Sequence, residues 1–134
     1  MKFLIAGYGS IGKRHLKNIL SNSNSKIIVY SKRKDLSNLE KKNIKIFDSL
    51  DKCLDEKPNV GFITNETSYH VPISKKLAKA GLDLFIEKPL SNSMRSVSDL
   101  VKTTKNKKLI TLIGCNLRFH DCIKKIKTLI EQQK

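Results

Sequence analysis

Short apolar runs rich in β-branched residues alternate along this chain with stretches whose apolar residues recur at helical spacing. Lys2–Ala6 is an apolar run that ends at Gly7, which predicts a buried strand. Apolar residues at 11, 16, 19 and 20 predict a helix over Ile11–Leu20, and the polar tract Ser21–Ser25 predicts the turn that closes it. Lys26–Tyr30 predicts a second strand, Asp35–Lys42 a short helix with Asp35 as its N-cap, Ile44–Phe47 a minor strand, and Ser49–Glu56 a short helix capped by Ser49. Val60–Thr64 reads as another buried strand, and Ser68–Ala80 as a helix stopped by Gly81. Leu82–Glu87 predicts a strand ending at Lys88-Pro89, Ser93–Asn106 a helix, and Leu109–Cys115 a sixth strand. In the tail, apolar residues at 123, 126, 129 and 130 form one face of a helix expected over His120–Lys134.

Strands alternating with helices imply an α/β fold, a doubly wound and mostly parallel sheet in three αβα layers, because right-handed crossovers place helices on both faces. The 134 residues amount to one domain, with no internal repeat and no linker that divides it.

Composition narrows the function more than the fold. Hydrophobic residues make up 39% and charged residues 29%, as in a globular domain. No apolar run approaches the ~18–20 residues of a membrane span. Met1–Gly7 runs straight into a glycine turn rather than a cleavage site, so a cytoplasmic location is expected. Cys53, Cys115 and Cys122 form no CxxC pair, so a structural role and no metal site are expected. The net charge of +15 attracts anions, but the lysines are scattered along the chain and read as a solvated surface. With aromatics at 6% and no recognition helix, nucleic acid is not the expected partner.

Chemistry concentrates at Gly7-Tyr8-Gly9-Ser10-Ile11-Gly12, a Gly-x-Gly-x-x-Gly turn between a strand and a helix. That context marks a Rossmann dinucleotide site. Gly7 permits the tight turn, Gly9 lets backbone approach a pyrophosphate, and Gly12 lets the helix pack on the strand. The amides at the helix start, Ser10 and Ile11 among them, then face the phosphates. At the end of the second strand, Tyr30-Ser31-Lys32-Arg33-Lys34 has no carboxylate before Asp35. Ser31, Lys32 and Arg33 therefore suit a ribose 2′-phosphate. NADP is favoured, with NAD the alternative if these cations are ordinary surface residues.

Gly7 through His15 resembles the opening of the Gfo/Idh/MocA oxidoreductases, and three further segments are similar in order: Ile63–His70, Glu87-Lys88-Pro89, and Asn116-Leu117-Arg118-Phe119-His120. The resemblance implies an oxidoreductase acting on a sugar, nucleotide-sugar or cyclitol hydroxyl. It implies that Lys88 sits by the nicotinamide, orients the reacting hydroxyl and serves as the catalytic residue. It also implies that Pro89 is cis, that Glu87 holds this turn, and that Thr64, Asn65 and His70 line the cofactor cleft. For His70, capping or packing is the competing role. Arg118 is open between a contact to substrate or cofactor phosphate and none. His15 and His120 read as structural.

Three departures from the family pattern stand out. Glu66 occupies a position usually uncharged, the proline usual near Asn65 is missing, and Asp121 stands where a proline often follows. Family members also carry a second α/β domain with an acid/base Asp and His, and no Asp-x-x-x-His segment follows Glu-Lys-Pro here. The expectation is a dinucleotide-binding domain over 1–134 with little turnover by itself. A sugar-like substrate requires a second domain to be supplied, and the expected protein partner is a second copy or a complementing subunit. The alternative is a non-catalytic NAD(P)-binding module.

Overall fold

In the computed structural model, residues 1–33, 35–36, 39 and 43–133 are described. Six strands, β1 (Lys2–Ala6), β2 (Lys26–Tyr30), β3 (Ile44–Phe47), β4 (Val60–Ile63), β5 (Asp83–Ile86) and β6 (Thr111–Ile113), form one sheet. Its order is β3-β2-β1-β4-β5-β6, and every pairing is parallel. The strand order reverses at β1, which pairs with β2 on one side and β4 on the other. A crevice opens at such a switch point beyond the carboxyl ends of the strands.

Both faces of the sheet are covered except along the exposed edge strand β6, so the strand side chains divide between two cores. Leu4, Ile28, Ile63, Leu84 and Ile86 pack with Leu50 and Cys53 of α2 (Leu50–Asp55), Val71, Leu77 and Ala78 of α3 (Thr67–Lys79), and Val97 and Leu100 of α4 (Val97–Asn106). Ile5, Ile27, Val29 and Ile44 pack on the opposite face with Leu16 of α1 (Ser10–Asn22). Fully burying one such aliphatic side chain contributes about 1.5–3 kcal/mol.

The structure departs from the sequence expectation at several elements, among them β6, which is shorter than the expected Leu109–Cys115. Helix α1 continues through Asn22 into the polar tract, because Asn22 Nδ2 donates to Asn18 O and Ser23 Oγ to Ile19 O (2.8 and 2.9 Å), closing the last turn. Helix α4 begins at Val97, not Ser93, because Ser96 takes a left-handed conformation (φ 62°) that no helix interior accepts. Ser49 stands at the N-cap of α2 without a side-chain capping bond. The tail is two pieces, a single 3-10 turn over Asn116–Phe119 and α5 over Asp121–Glu131. Ile123, Ile126, Leu129 and Ile130 on α5 are all exposed, so this helix does not fold back onto the sheet edge. The helix expected over Asp35–Lys42 falls largely on positions outside the described residues. Among the described residues no helix is long and apolar enough to cross a membrane.

Candidate dinucleotide-binding site

The glycine turn is built by backbone contacts that leave no room for side chains. Gly7 has φ +102°, and a Cβ there would stand 2.5 Å from Asn65 N. A Cβ on Gly12 would run into Gly7 O and lie 3.1 Å from Thr64 Oγ1. Thr64, at the end of β4, donates its hydroxyl to Gly7 O (2.7 Å) and reaches Ala6 O (3.2 Å). Gly7 N donates to Tyr30 O (3.0 Å). The turn is thus clamped between the ends of β2 and β4.

Gly9 differs from the other two. It is the N-cap of α1, and a Cβ placed on it would meet nothing within 4 Å. Protein packing does not demand glycine there; a close approach from the cleft side would. No side chain caps α1, and its first turn has no acidic residue. The first internal bond, Lys13 N to Gly9 O (3.0 Å), leaves the amides of Ser10, Ile11 and Gly12 without a partner inside the helix. Asn65 Oδ1 is buried with no hydrogen-bond partner. Orphaned donors at a helix start, beside an orphaned acceptor, fit a ligand carrying anionic phosphates and polar groups.

These residues line a cleft of about 670 Å³. It gathers Gly7, Gly9, Ser10 and Ile11 with Ser31, Lys32, Arg33, Thr64 and Asn65. Tyr8, Tyr30, Glu66, Tyr69 and Ile73 also line it and were not named as site residues from the sequence. Tyr69, 56% exposed at the start of α3, is a flat apolar surface lining the cleft whose signal was its place six residues after the β4 end. Behind Ser31 the charges are partly self-paired. Arg33 Nη2 and Nε donate to Asp35 Oδ2 and Oδ1 (2.7 and 3.1 Å), which raises the guanidinium and lowers the carboxyl from their ordinary values, chiefly through these hydrogen bonds. Ser31 Oγ accepts from Arg33 N (3.2 Å). Lys34 lies outside the described residues.

The remaining sequence candidates sit elsewhere. His70 is 2% exposed and is not among the cleft-lining residues. Its Nδ1 meets Pro89 O at 2.8 Å and its Nε2 meets Asn65 O at 2.9 Å, so it braces two loops from beneath. Lys88 and Pro89 are exposed on the turn after β5, and the bond between them is cis. Glu87 accepts from Lys88 N through Oε2 (3.3 Å). Arg118 lines a separate cleft with Cys115 and α5, its guanidinium 5.6 Å from the Phe119 ring centre. No group of three or more His, Cys, Asp or Glu is placed to hold a metal ion among the described residues.

A six-stranded parallel sheet with this order, and a glycine turn opening an uncapped helix at the switch point, define a Rossmann-type dinucleotide-binding domain. Residues 1–115 match the model of the Gfo/Idh/MocA oxidoreductase family, NAD-binding Rossmann fold, and the chain belongs to that family. It is 30% identical, over 95% of its length, to the uncharacterized oxidoreductase YrbE of Bacillus subtilis, of which it covers 39%. A probable dehydrogenase from Thermotoga maritima superposes with a TM-score of 0.83 at 25% identity, over 98% of this chain and 41% of that one. The scyllo-inositol dehydrogenase of Lactobacillus casei, solved with NAD(H) and scyllo-inositol, superposes at 0.84 with 22% identity, again over 98% and 41%. The chain thus spans about two-fifths of the length of these relatives.

Proposed function

We propose that this domain holds NADP in preference to NAD and presents it for hydride transfer at a hydroxyl-bearing carbon of a sugar, nucleotide sugar or cyclitol. The observation that carries the reading is Gly9, where a Cβ would point into open cleft above the unpaired amides of α1. In this reading Ser10 and Ile11 receive the pyrophosphate, with Gly7 and Gly12 keeping the backbone low enough for it to approach. Thr64 and Asn65 form the wall across the switch point. Ser31, Lys32 and Arg33 take the ribose end, and the absence of a carboxylate at Ser31 favours a 2′-phosphate. A bound nicotinamide supplies the hydride chemistry. Lys88 orients the substrate hydroxyl and exchanges its proton, with Glu87 and Pro89 holding the turn.

Catalysis needs the substrate held close to its attack geometry as well as a proton-exchanging group. By themselves the 134 residues bind and orient dinucleotide, and turnover depends on a substrate-binding part supplied by another segment or subunit. The sugar-like substrate class is supported by the family and by the inositol dehydrogenase among the structural neighbours.

Titration with NADPH and NADH, read by nicotinamide fluorescence and by the melting shift, tests this. Both are expected to stabilise the protein, NADPH at lower concentration. Ser31→Asp is expected to reverse the order by placing a carboxylate at the ribose. An unchanged NADPH:NADH ratio in that variant removes the NADP preference, and no shift with either coenzyme removes the reading altogether.

A further inference from the structure

Lys88 is held through its two neighbours, each tied by a histidine to an element of the cofactor cleft. On one side, His15 stands in the second turn of α1 with its ring against both Phe62 and Phe85 (centroids 5.3 and 4.9 Å away), which stack on each other. Its Nε2 lies 2.7 Å from Glu87 Oε1, and the two side chains are only 14% and 12% exposed. The other carboxylate oxygen of Glu87 accepts from Lys88 N. The same carboxylate rests against Gly114 after β6, where a Cβ would come within 3.2 Å of Oε2. On the other side, His70 ties Pro89 O to Asn65 O, and Asn65 packs on Gly7.

With Pro89 anchored from the buried side and Glu87 confined by Gly114, the contact that sets the carboxylate's direction is His15. We propose that His15 is a positioning residue for Lys88, acting through Glu87. It couples the helix that carries the glycine turn to the turn that carries the reacting lysine. The inference rests on the role given to Lys88 above. A structural role for His15 alone, fastening α1 to the sheet, makes a different prediction. Loosening α1 weakens every ligand that uses its amides. Misdirecting Lys88 weakens only ligands that reach the nicotinamide position, since small displacements of a reacting group are costly.

The test compares NADPH with 2′-phospho-ADP-ribose, which lacks the nicotinamide, on five forms of the chain: wild type, His15→Leu, His15→Gln, Lys88→Ala and the double variant His15→Leu/Lys88→Ala. His15→Leu is expected to weaken NADPH about fivefold, the scale of one lost hydrogen bond, and to leave 2′-phospho-ADP-ribose within about twofold. His15→Gln, whose amide still donates to Glu87, recovers most of the loss. Lys88→Ala reproduces the selective loss, and adding His15→Leu to it weakens NADPH no further, because the two changes act on one contact. Equal weakening of both ligands in His15→Leu assigns the residue to helix docking and overturns the proposal. So does full NADPH affinity in that variant. If Lys88→Ala itself binds NADPH normally, Lys88 does not stand at the nicotinamide and the proposal falls with that placement; if His15→Leu alone is silent, only the proposal falls.

Discussion

Arg33 shows how a residue can be read correctly by type and still be misjudged in effect. Three cations after Ser31 suggest a strong phosphate grip, but Arg33 spends two of its nitrogens on Asp35. Both side chains are more than half exposed, so the pair is a weak one that a phosphate can compete with. Spacing of two residues along an irregular loop carries no periodic signal, which is why this pairing was not legible. Gly7 and Gly12 were legible because their chemistry is steric and local to the motif. Cys53 is a third case. It is fully buried on α2, and burial, with the Asp48 and Glu56 charges nearby, pushes its thiol up to about 12. The folded value lies above the ordinary one, so the native state holds this proton more tightly. Its contribution to stability is present below pH ~9 and is lost as pH rises toward the folded value. At pH 8 an aromatic disulfide reagent is expected to titrate Cys115 and Cys122 quickly and Cys53 only in denaturant; rapid labelling of all three thiols in the native protein would contradict its burial.

Helices α3 and α4 end in the same way with different residues. After α3, Gly81 N donates to Ala78 O and Leu82 N to Leu77 O (3.0 and 3.1 Å); after α4, Lys108 N donates to Lys105 O and Leu109 N to Thr104 O (3.0 and 2.9 Å). Both ends place a left-handed residue just past the cap, with φ 89° at Gly81 and 54° at Lys108. Glycine accepts that conformation without cost, whereas a residue with a Cβ is disfavoured by about 1 kcal/mol. Lys108→Gly is therefore expected to raise stability by about 0.5–1 kcal/mol, and Gly81→Ala to lower it by about 1 kcal/mol, read by urea unfolding. Opposite signs in both variants would deny the shared motif. The stop at Gly81 was readable because glycine advertises it. The end of α4 at Asn106 was read correctly from the periodicity, but its late start after Ser96 was not, since a left-handed serine looks like any other polar residue in a sequence. The two-piece tail was hidden for a related reason: an amphipathic period records a helix but not the 3-10 turn that precedes it.

Across the whole molecule, the +15 charge surrounds a cleft whose rim carries Lys32 and Arg33. Such a field acts over about a Debye length, ~10 Å at 0.1 M salt, and strengthens with ligand charge. Raising NaCl from about 0.05 to 0.5 M is expected to weaken NADPH binding severalfold and NADH binding less, because NADPH carries the additional phosphate. Equal slopes for the two coenzymes, measured by the same fluorescence titration, would confine the charge to a background role.

Alternating apolar runs and helical periods determined by themselves that this chain forms a doubly wound sheet, and the glycine motif determined where its crevice lies. Both follow from local rules, since strand burial, helix spacing and turn sterics act between near neighbours in the chain. Only the tertiary structure decided that Asn65 presses on Gly7, that His15 reaches across the sheet to Glu87 and that His70 is a brace beneath the cleft rather than part of its lining. Those contacts join residues 58, 72 and 5 positions apart, and which of them meet is set by strand order and register. Even the five-residue case depends on Pro89 arriving from the neighbouring strand to claim the other ring nitrogen.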